Sequence, residues 1–300
     1  MTNLTVADDS SPSIPSITKE QTTGVDWLTI TTKDIIKRRG LYNRASLAIQ
    51  DIRAEGNDVD TWKWQGYSGL ATRGMKWGTR ADTDIVILSG DVANARWPEM
   101  LALAENATRV DLAVTVLLND ALPDFAWDIY RTVATPLNTK VRCKKFSIVK
   151  NNDGGETLYV GSRASDQVGR LYDKGRENPK PLNLKKGLLW RYEVEFKGKR
   201  AQKIATQLLA QSRVPLKVGN GIAHTVQEWF FCRGIPSLLV VGDGSPLVTS
   251  VTAALSDDDV VLRWLSTQVR PSVKRLVDKG KIRMVNEALN FSPLDKDEYS

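Results

Sequence analysis

Two spacings of apolar residues run along this chain. Every second position marks strands, and every third or fourth marks helices. VDWLTITT (25–32) alternates and is rich in β-branched residues, which predicts a strand, and KDIIKRRGLYNRASLAIQDIRAEG predicts a helix that stops at Gly56. Its Lys37, Arg38 and Arg39 form a basic run that suits either a solvated face or a phosphate contact. In TWKWQGYSGLATRGMKWG, Gly66, Gly69, Gly74 and Gly78 predict tight turns between short strands, and Trp62 and Trp64 share a strand face. Tryptophans so placed either pack in a core or stack on unpaired bases. DIVILSG (84–90) predicts a buried strand ending in a turn, and ARWPEMLALAENA a helix with Pro98 near its start.

TRVDLAVTVLL (108–118) predicts another strand, PDFAWDIYRTVATPL a helix over 124–134, and TKVRCKKFSIVKN a strand whose Lys140, Arg142 and Lys144 share a face. NNDGG (151–155) marks a turn, so 139–150 and 156–161 pair as a hairpin. VGRLYDK and WRYEVEF read as strands and GKRAQKIATQLLAQS as an amphipathic helix. VQEWFFCRG reads as a short apolar core segment. SDDDVVLRWLSTQVRPSVKRLVDKGK reads as a helix capped at Ser256 and broken at Pro271. Residues 1–23 are rich in Ser, Thr, Pro and Asp and read as a disordered leader.

Composition narrows the chemistry. The 300 residues suffice for one large or two ordinary domains, and a hydrophobic share of 41% supports a core. A net charge of +7 favours a polyanionic partner. No apolar run approaches the ~20 residues that cross a bilayer, and the N-terminus lacks the basic-then-apolar order of a signal peptide. Two cysteines, Cys143 and Cys232, give no disulfide framework, so the expected setting is a reducing cytoplasm. A single histidine, His224, rules out a multi-histidine metal site within the chain and leaves the chemistry to carboxylates, tyrosines, lysines and hydroxyls. His224 itself reads as structural or as a phosphate donor.

Alternation then groups the candidates. Along 108–118, Val110, Leu112, Val114 and Val116 share one face, and Arg109, Asp111, Ala113 and Thr115 the other. A carboxylate in so apolar a strand needs either a salt bridge to a neighbouring arginine or a metal ion. In WRYEVEF, Arg191, Glu193 and Glu195 share a face, where they form either a solvated Arg/Glu ladder or, with Asp111, an oxygen-only site suited to Mg²⁺ or Mn²⁺. In VGRLYDK, a continuous strand sets Tyr172 between Arg170 and Lys174 on one face. A phenol with an ordinary pKa near ~10 is a poor nucleophile at neutral pH, and adjacent cations lower that value.

These residues carry a resemblance. VDWLTIT, the LSG at 88–90, TRVDLAVTV, TLYVGSRASDQVGRLYDKGRE, WRYEVEFKGKRA and WLSTQVRPSV together resemble the replication initiation factor family of rolling-circle plasmid and phage initiators, which also includes relaxases of some integrative elements. The resemblance runs from about Asp26 to Pro271, and its central block is the most specific part. It implies an origin-specific DNA nickase and strand transferase that works through a 5′-phosphotyrosine at Tyr172, flanked by Lys174 and Arg170. It maps the family's strand acids onto Asp111, Glu193 and Glu195 as ligands of Mg²⁺ or Mn²⁺, and leaves open which glutamate binds. Thr115 departs from the pattern, since many relatives carry a second acid there.

The expected fold is α+β, a central antiparallel sheet carrying the active site and flanked by helices, with a more helical C-terminal third. The expected organisation is a leader (1–23), a catalytic region (24–200) and a C-terminal region for DNA recognition or dimerisation (201–300). Lys144, Arg163, Lys185, Lys186 and Arg200 are the expected phosphate contacts, so binding should fall steeply with salt. Expected partners are an origin with a single-stranded or hairpin nick site, a second copy of the chain and a host helicase, with no membrane, in the cytoplasm of a bacterial host. A relaxase with the same chemistry, and an origin-binding or repressor protein whose nuclease site has decayed, are the alternatives; Thr115 favours the latter.

Overall fold

A computed structural model of the chain describes residues 20–133, 145–152, 154–177, 183–235, 238, 239, 241 and 245–247. Two units divide the chain, Met1–Ser250 and Val251–Ser300, and every described residue belongs to the first. The helix expected from Ser256 and the Lys140/Arg142/Lys144 stripe lie outside the described residues.

Ten strands form one sheet, antiparallel at every pairing. They are β1 (Glu20–Thr32), β2 (Asp60–Trp64), β3 (Tyr67–Thr72), β4 (Met75–Arg80), β5 (Thr83–Ser89), β6 (Asn106–Leu117), β7 (Phe146–Lys150), β8 (Glu156–Val160), β9 (Gln167–Asp173) and β10 (Leu189–Lys197). Their order is β2-β3-β4-β5-β1-β6-β10-β9-β8-β7. Among the described residues five α-helices accompany them: α1 (Ile35–Ala54), α2 (Gly90–Leu101), α3 (Phe125–Val133), α4 (Gly198–Gln211) and α5 (Pro215–Phe231). The expected antiparallel sheet flanked by helices is therefore present. β1 begins at Glu20, inside the segment read as leader, and the expected boundary near residue 200 falls within α4.

The alternation explains the layering. Val110, Leu112, Val114 and Val116 of β6 and Trp190, Tyr192, Val194 and Phe196 of β10 are all fully buried, in one core with the apolar faces of the helices. Burying side chains of this size contributes ~1.5–3 kcal/mol each, enough to fix which face of each strand points inward. The opposite face carries a smaller cluster, Tyr67, Ile85 and Ile87 with Trp27 and Trp62 against it, and beside it the charged side chains of β6, β9 and β10.

Local signals act as read in most places. Asp34 caps α1 by accepting from Ile36 and Lys37 N–H, and Gly56 follows the helix at φ 86°. Arg38, from the basic run, is held by Asp84 at 3.0 Å. Two helices differ from expectation. α2 starts directly at Gly90, so Pro98 sits inside it rather than near its start. The VQEWFF of VQEWFFCRG is the end of α5, which extends back through Gly219, Asn220 and Gly221. Glycine lowers helix propensity, but a Cβ at Gly219 would sit 3.0 Å from Thr23 Oγ1 and one at Gly221 3.3 Å from Leu247, so close packing demands small residues there. Gly169 of β9 is tighter still, with the Trp229 ring 2.3 Å from where a Cβ would lie. Gly169→Ala is expected to lower stability by about 1–3 kcal/mol through overpacking, read as a lower urea midpoint at unchanged slope.

Candidate active site

The central strands bring the predicted residues together. β10 lies between β6 and β9, pairing Glu195 with Asp111, Glu193 with Arg170 and Arg191 with Tyr172. Asp111, Glu193, Glu195, Arg170 and Tyr172 therefore share the face away from the helices. A cleft of about 540 Å³ opens over them, lined among others by Tyr172, Glu193, Arg170, Lys174, Tyr159 and Asp26.

Asp111 does not itself line the cleft and has no exposed surface. Arg109 grips both its oxygens, Nε to Oδ1 at 2.8 Å and Nη2 to Oδ2 at 2.6 Å, and Arg170 reaches Oδ2 at 3.2 Å. Arg109 also meets Glu195 at 3.0 Å, Lys197 meets Glu195 at 2.6 Å, and Arg170 bonds Glu193 Oε1. Three carboxylates thus interleave with three cations. Burial pushes the Asp111 carboxyl up to about 8, against the pull of Arg109 and with the push of Glu193 and Glu195. Burial works against the charge on Arg109 and Arg170 too, but the carboxylates outweigh it and raise both pKa values.

This arrangement takes the salt-bridge side of the choice posed by an acid in an apolar strand. Its oxygens are occupied by guanidinium groups, and no group of three or more His, Cys, Asp or Glu among the described residues is arranged to hold a metal ion. As they stand, Asp111, Glu193 and Glu195 do not fit a divalent ion. Removing one member of a buried ionic cluster leaves its partners uncompensated. Asp111→Ala strips the Arg109 fork of both acceptors and is expected to destabilise by about 3 kcal/mol, the low end for a broken buried pair because Glu195 still holds Arg109 and Glu193 holds Arg170. That corresponds to a melting temperature lower by about 6–12 °C in a thermal scan.

Tyr172 is 9% exposed, and its hydroxyl donates to Glu193 Oε2 at 3.2 Å. Its pKa departs from the sequence-based expectation. Burial and the Glu193 carboxylate hold the phenol well above its ordinary value, and Arg191 and Arg170 only partly offset them. Lys174 also departs, because β9 ends at Asp173, whose carboxylate accepts from Gly175 N–H at 3.0 Å and Gly187 N–H at 2.8 Å. Lys174 opens a 3₁₀ turn instead of continuing the strand face. It still lies beside the phenol, with Nζ 5.9 Å from the ring centroid, and it bonds Glu177. Burial, with Arg191 nearby, holds its ammonium pKa below the ordinary lysine value.

Sequence reasoning missed Asp26. β1 pairs Val25 with Leu112 but Trp27 with Asp111, leaving Asp26 as the extra residue of a β-bulge. The bulge re-aims its carboxylate to Arg191, at 2.6 Å, while Arg191 Nε donates to Thr115 Oγ1 at 2.8 Å. An acid on the Leu28/Ile30 side of an alternating strand was the available signal.

The expected phosphate contacts scatter. Arg163 stacks over Tyr159 at 5.0 Å, at the rim of the cleft. Lys185 is exposed, Lys186 reaches Asp124 at 3.4 Å, Arg200 is held by Asp166 at 3.2 Å, and Lys144 lies outside the described residues. His224 lies within α5 and does not line the cleft.

No curated protein matches the chain. The chain is similar to a solved structure, that of a rolling circle replication initiator protein from Geobacillus stearothermophilus, with a TM-score of 0.50 and 19% identity over 71% of this chain and 86% of that one, a likeness of fold. Residues 105–287 match the family model described as replication initiation factor, a span that takes in β6, β9 and β10 and so the whole Asp111–Tyr172–Glu193 cluster. The chain belongs to the replication initiation factor family.

Proposed function

We propose that this protein starts rolling-circle replication by nicking one DNA strand at an origin, with Tyr172 as the nucleophile, Glu193 as its base and Arg170 and Lys174 around the phosphate. The observation that carries the reading is the Tyr172 hydroxyl hydrogen-bonded to Glu193 Oε2 in the floor of a cleft that Arg170 and Lys174 also line. Family membership supports the initiator role, since rolling-circle initiators are generally nicking-closing enzymes.

A phenol whose pKa is raised is not ionised beforehand at neutral pH, so its proton must leave as the new bond forms. Glu193 Oε2, already accepting from the hydroxyl, takes that proton. The phenol oxygen bonds to phosphorus, the bond from phosphorus to the 3′-oxygen breaks, and the departing oxygen takes a proton from solvent. The products are a 5′-phosphotyrosine and a free 3′-hydroxyl that a polymerase extends. Reversal of the same steps rejoins strands. Arg170 and Lys174 stabilise charge on the non-bridging oxygens. Arg170 must loosen from Asp111 and Glu193 to do so, so the phosphate competes with the carboxylates for it.

Rolling-circle initiators typically use a divalent metal, whereas the carboxylates in their present arrangement hold arginines. Thr115, the feature that favoured a decayed site, bonds Arg191 and so belongs to the frame around Tyr172. A relaxase of a mobile element would use the same residues. The test is incubation with a 3′-labelled origin oligonucleotide carrying the nick site, with and without Mn²⁺, followed by a denaturing gel. A covalent adduct mapped by mass spectrometry to the peptide containing Tyr172 is the expected result. Absence of any adduct on a substrate that the protein binds would overturn the nicking reading.

A further inference from the structure

The half of the sheet away from the cleft carries an aromatic surface that the nicking chemistry does not use. Trp62 and Trp64 of the edge strand β2 stack on each other, with ring centroids 6.1 Å apart and planes at 22°. Backbone register explains how they lie. Trp62 pairs with Gly69, which pairs with Gly78, so two glycines adjoin Trp62 on the same face. A Cβ at Gly78 would sit 3.0 Å from the Trp62 ring, so the glycine lets the indole lie down on the sheet. Trp62 packs against Tyr67, Ile85 and Ile87, a structural duty. Trp64 has none of that kind, being 43% exposed.

Cations interleave with these rings. Arg80 lies over Tyr67 at 4.7 Å, and Arg109 over Trp27 at 4.4 Å. Lys76 and Arg80 are both exposed, and their ladder neighbours are Ala71 and Ile87 for Lys76 and Thr83 for Arg80, none of them acidic. Asp60, at the far end of β2, is the one acid that β2–β5 direct to this face by alternation. Trp27 and Arg109 both line the cleft, so the aromatic and basic positions run on into the site of Tyr172. β2 stands seven strands from β9 in the sheet order, a path of roughly 34 Å at ordinary strand spacing.

We infer that this face, from Trp64 and Trp62 past Arg80, Lys76 and Trp27, is a single-stranded DNA platform that holds the unpaired strand leading to the scissile phosphate. The inference rests on the nicking reading for its substrate. Flat exposed rings with cations between them suit unpaired bases joined by phosphates, because stacking accepts any base and the cations follow the backbone. Duplex DNA presents no free base faces to such a surface.

The test uses the full chain and a labelled thymidine oligonucleotide of about sixteen residues, at the upper end of single-strand footprints. Trp64→Ala is expected to weaken binding about tenfold, the loss of roughly one stacked base, with duplex binding unaffected. Trp62→Ala is expected to add to the loss, and a bromodeoxyuridine oligonucleotide should photocross-link to the peptide spanning 60–67. Because Trp64 lies outside both apolar clusters, its removal is compatible with an unchanged melting curve. Unaltered oligonucleotide binding in Trp64→Ala together with no cross-link in β2 overturns the platform. So does a Trp64→Ala protein that changes its sedimentation but not its DNA affinity, which would give the surface to a second copy of the chain. A Tyr172 adduct with Trp64-independent binding leaves nicking standing and removes only the platform. Trp64-dependent binding with no adduct does the reverse.

Discussion

Tyr172→Phe is expected to abolish the covalent protein–DNA adduct while origin binding persists. The substitution removes one oxygen, the atom that would bond to phosphorus, and leaves the ring in place. It also removes the hydrogen bond to Glu193, so stability should fall by only about 1 kcal/mol. A folded, DNA-binding, non-nicking protein is therefore the signature, read on a denaturing gel beside a mobility-shift assay. One other tyrosine lines the cleft: Tyr159, whose ladder partner is Arg170 and whose ring lies under Arg163. An adduct that survives in Tyr172→Phe and disappears in Tyr159→Phe would move the nucleophile one strand over.

Glu193→Gln is expected to slow nicking by about 10²–10⁴-fold, the usual worth of a positioned base. Glutamine can still accept from the Tyr172 hydroxyl, so the geometry is kept and the proton acceptor is lost. Binding should hold or tighten, because one negative charge leaves the phosphate site. Glu195→Gln is the control. Its carboxylate touches Arg109 and Lys197 and does not touch the phenol, so a loss under tenfold is expected. Equal losses in the two variants, measured in single-turnover reactions, would take the base assignment away from Glu193.

Much of this arrangement was legible in the chain. An acid on the polar side of TRVDLAVTV and two on the polar side of WRYEVEF gave the face, because period-two alternation beside a buried sheet leaves no other choice. That the strands carrying them are neighbours does not follow from alternation, which says nothing of strand order. Nor could the pattern show who neutralises whom: Arg109 sits two residues before Asp111 and its fork reaches both oxygens, a matter of side-chain reach rather than strand register. Lys174 was misplaced because alternation was carried one residue too far, past the turn that Asp173 caps. The phenol's pKa was misjudged for a related reason: charge neighbours can be guessed from spacing, whereas burial, which dominates here, cannot. Asp26 escaped notice because a bulge breaks the very periodicity used to read strands.

The order of the strands has a bearing on when the Tyr172 site can be complete. β6, which carries Asp111, ends at Leu117, and its neighbour β10 begins only at Leu189, with β9 folded in beside it from between the two. Pairings between such distant segments form late and slowly. During synthesis the ribosome must therefore release β10 before Tyr172 and Glu193 can meet, and a chain cut short of that strand carries the tyrosine without the glutamate its hydroxyl bonds.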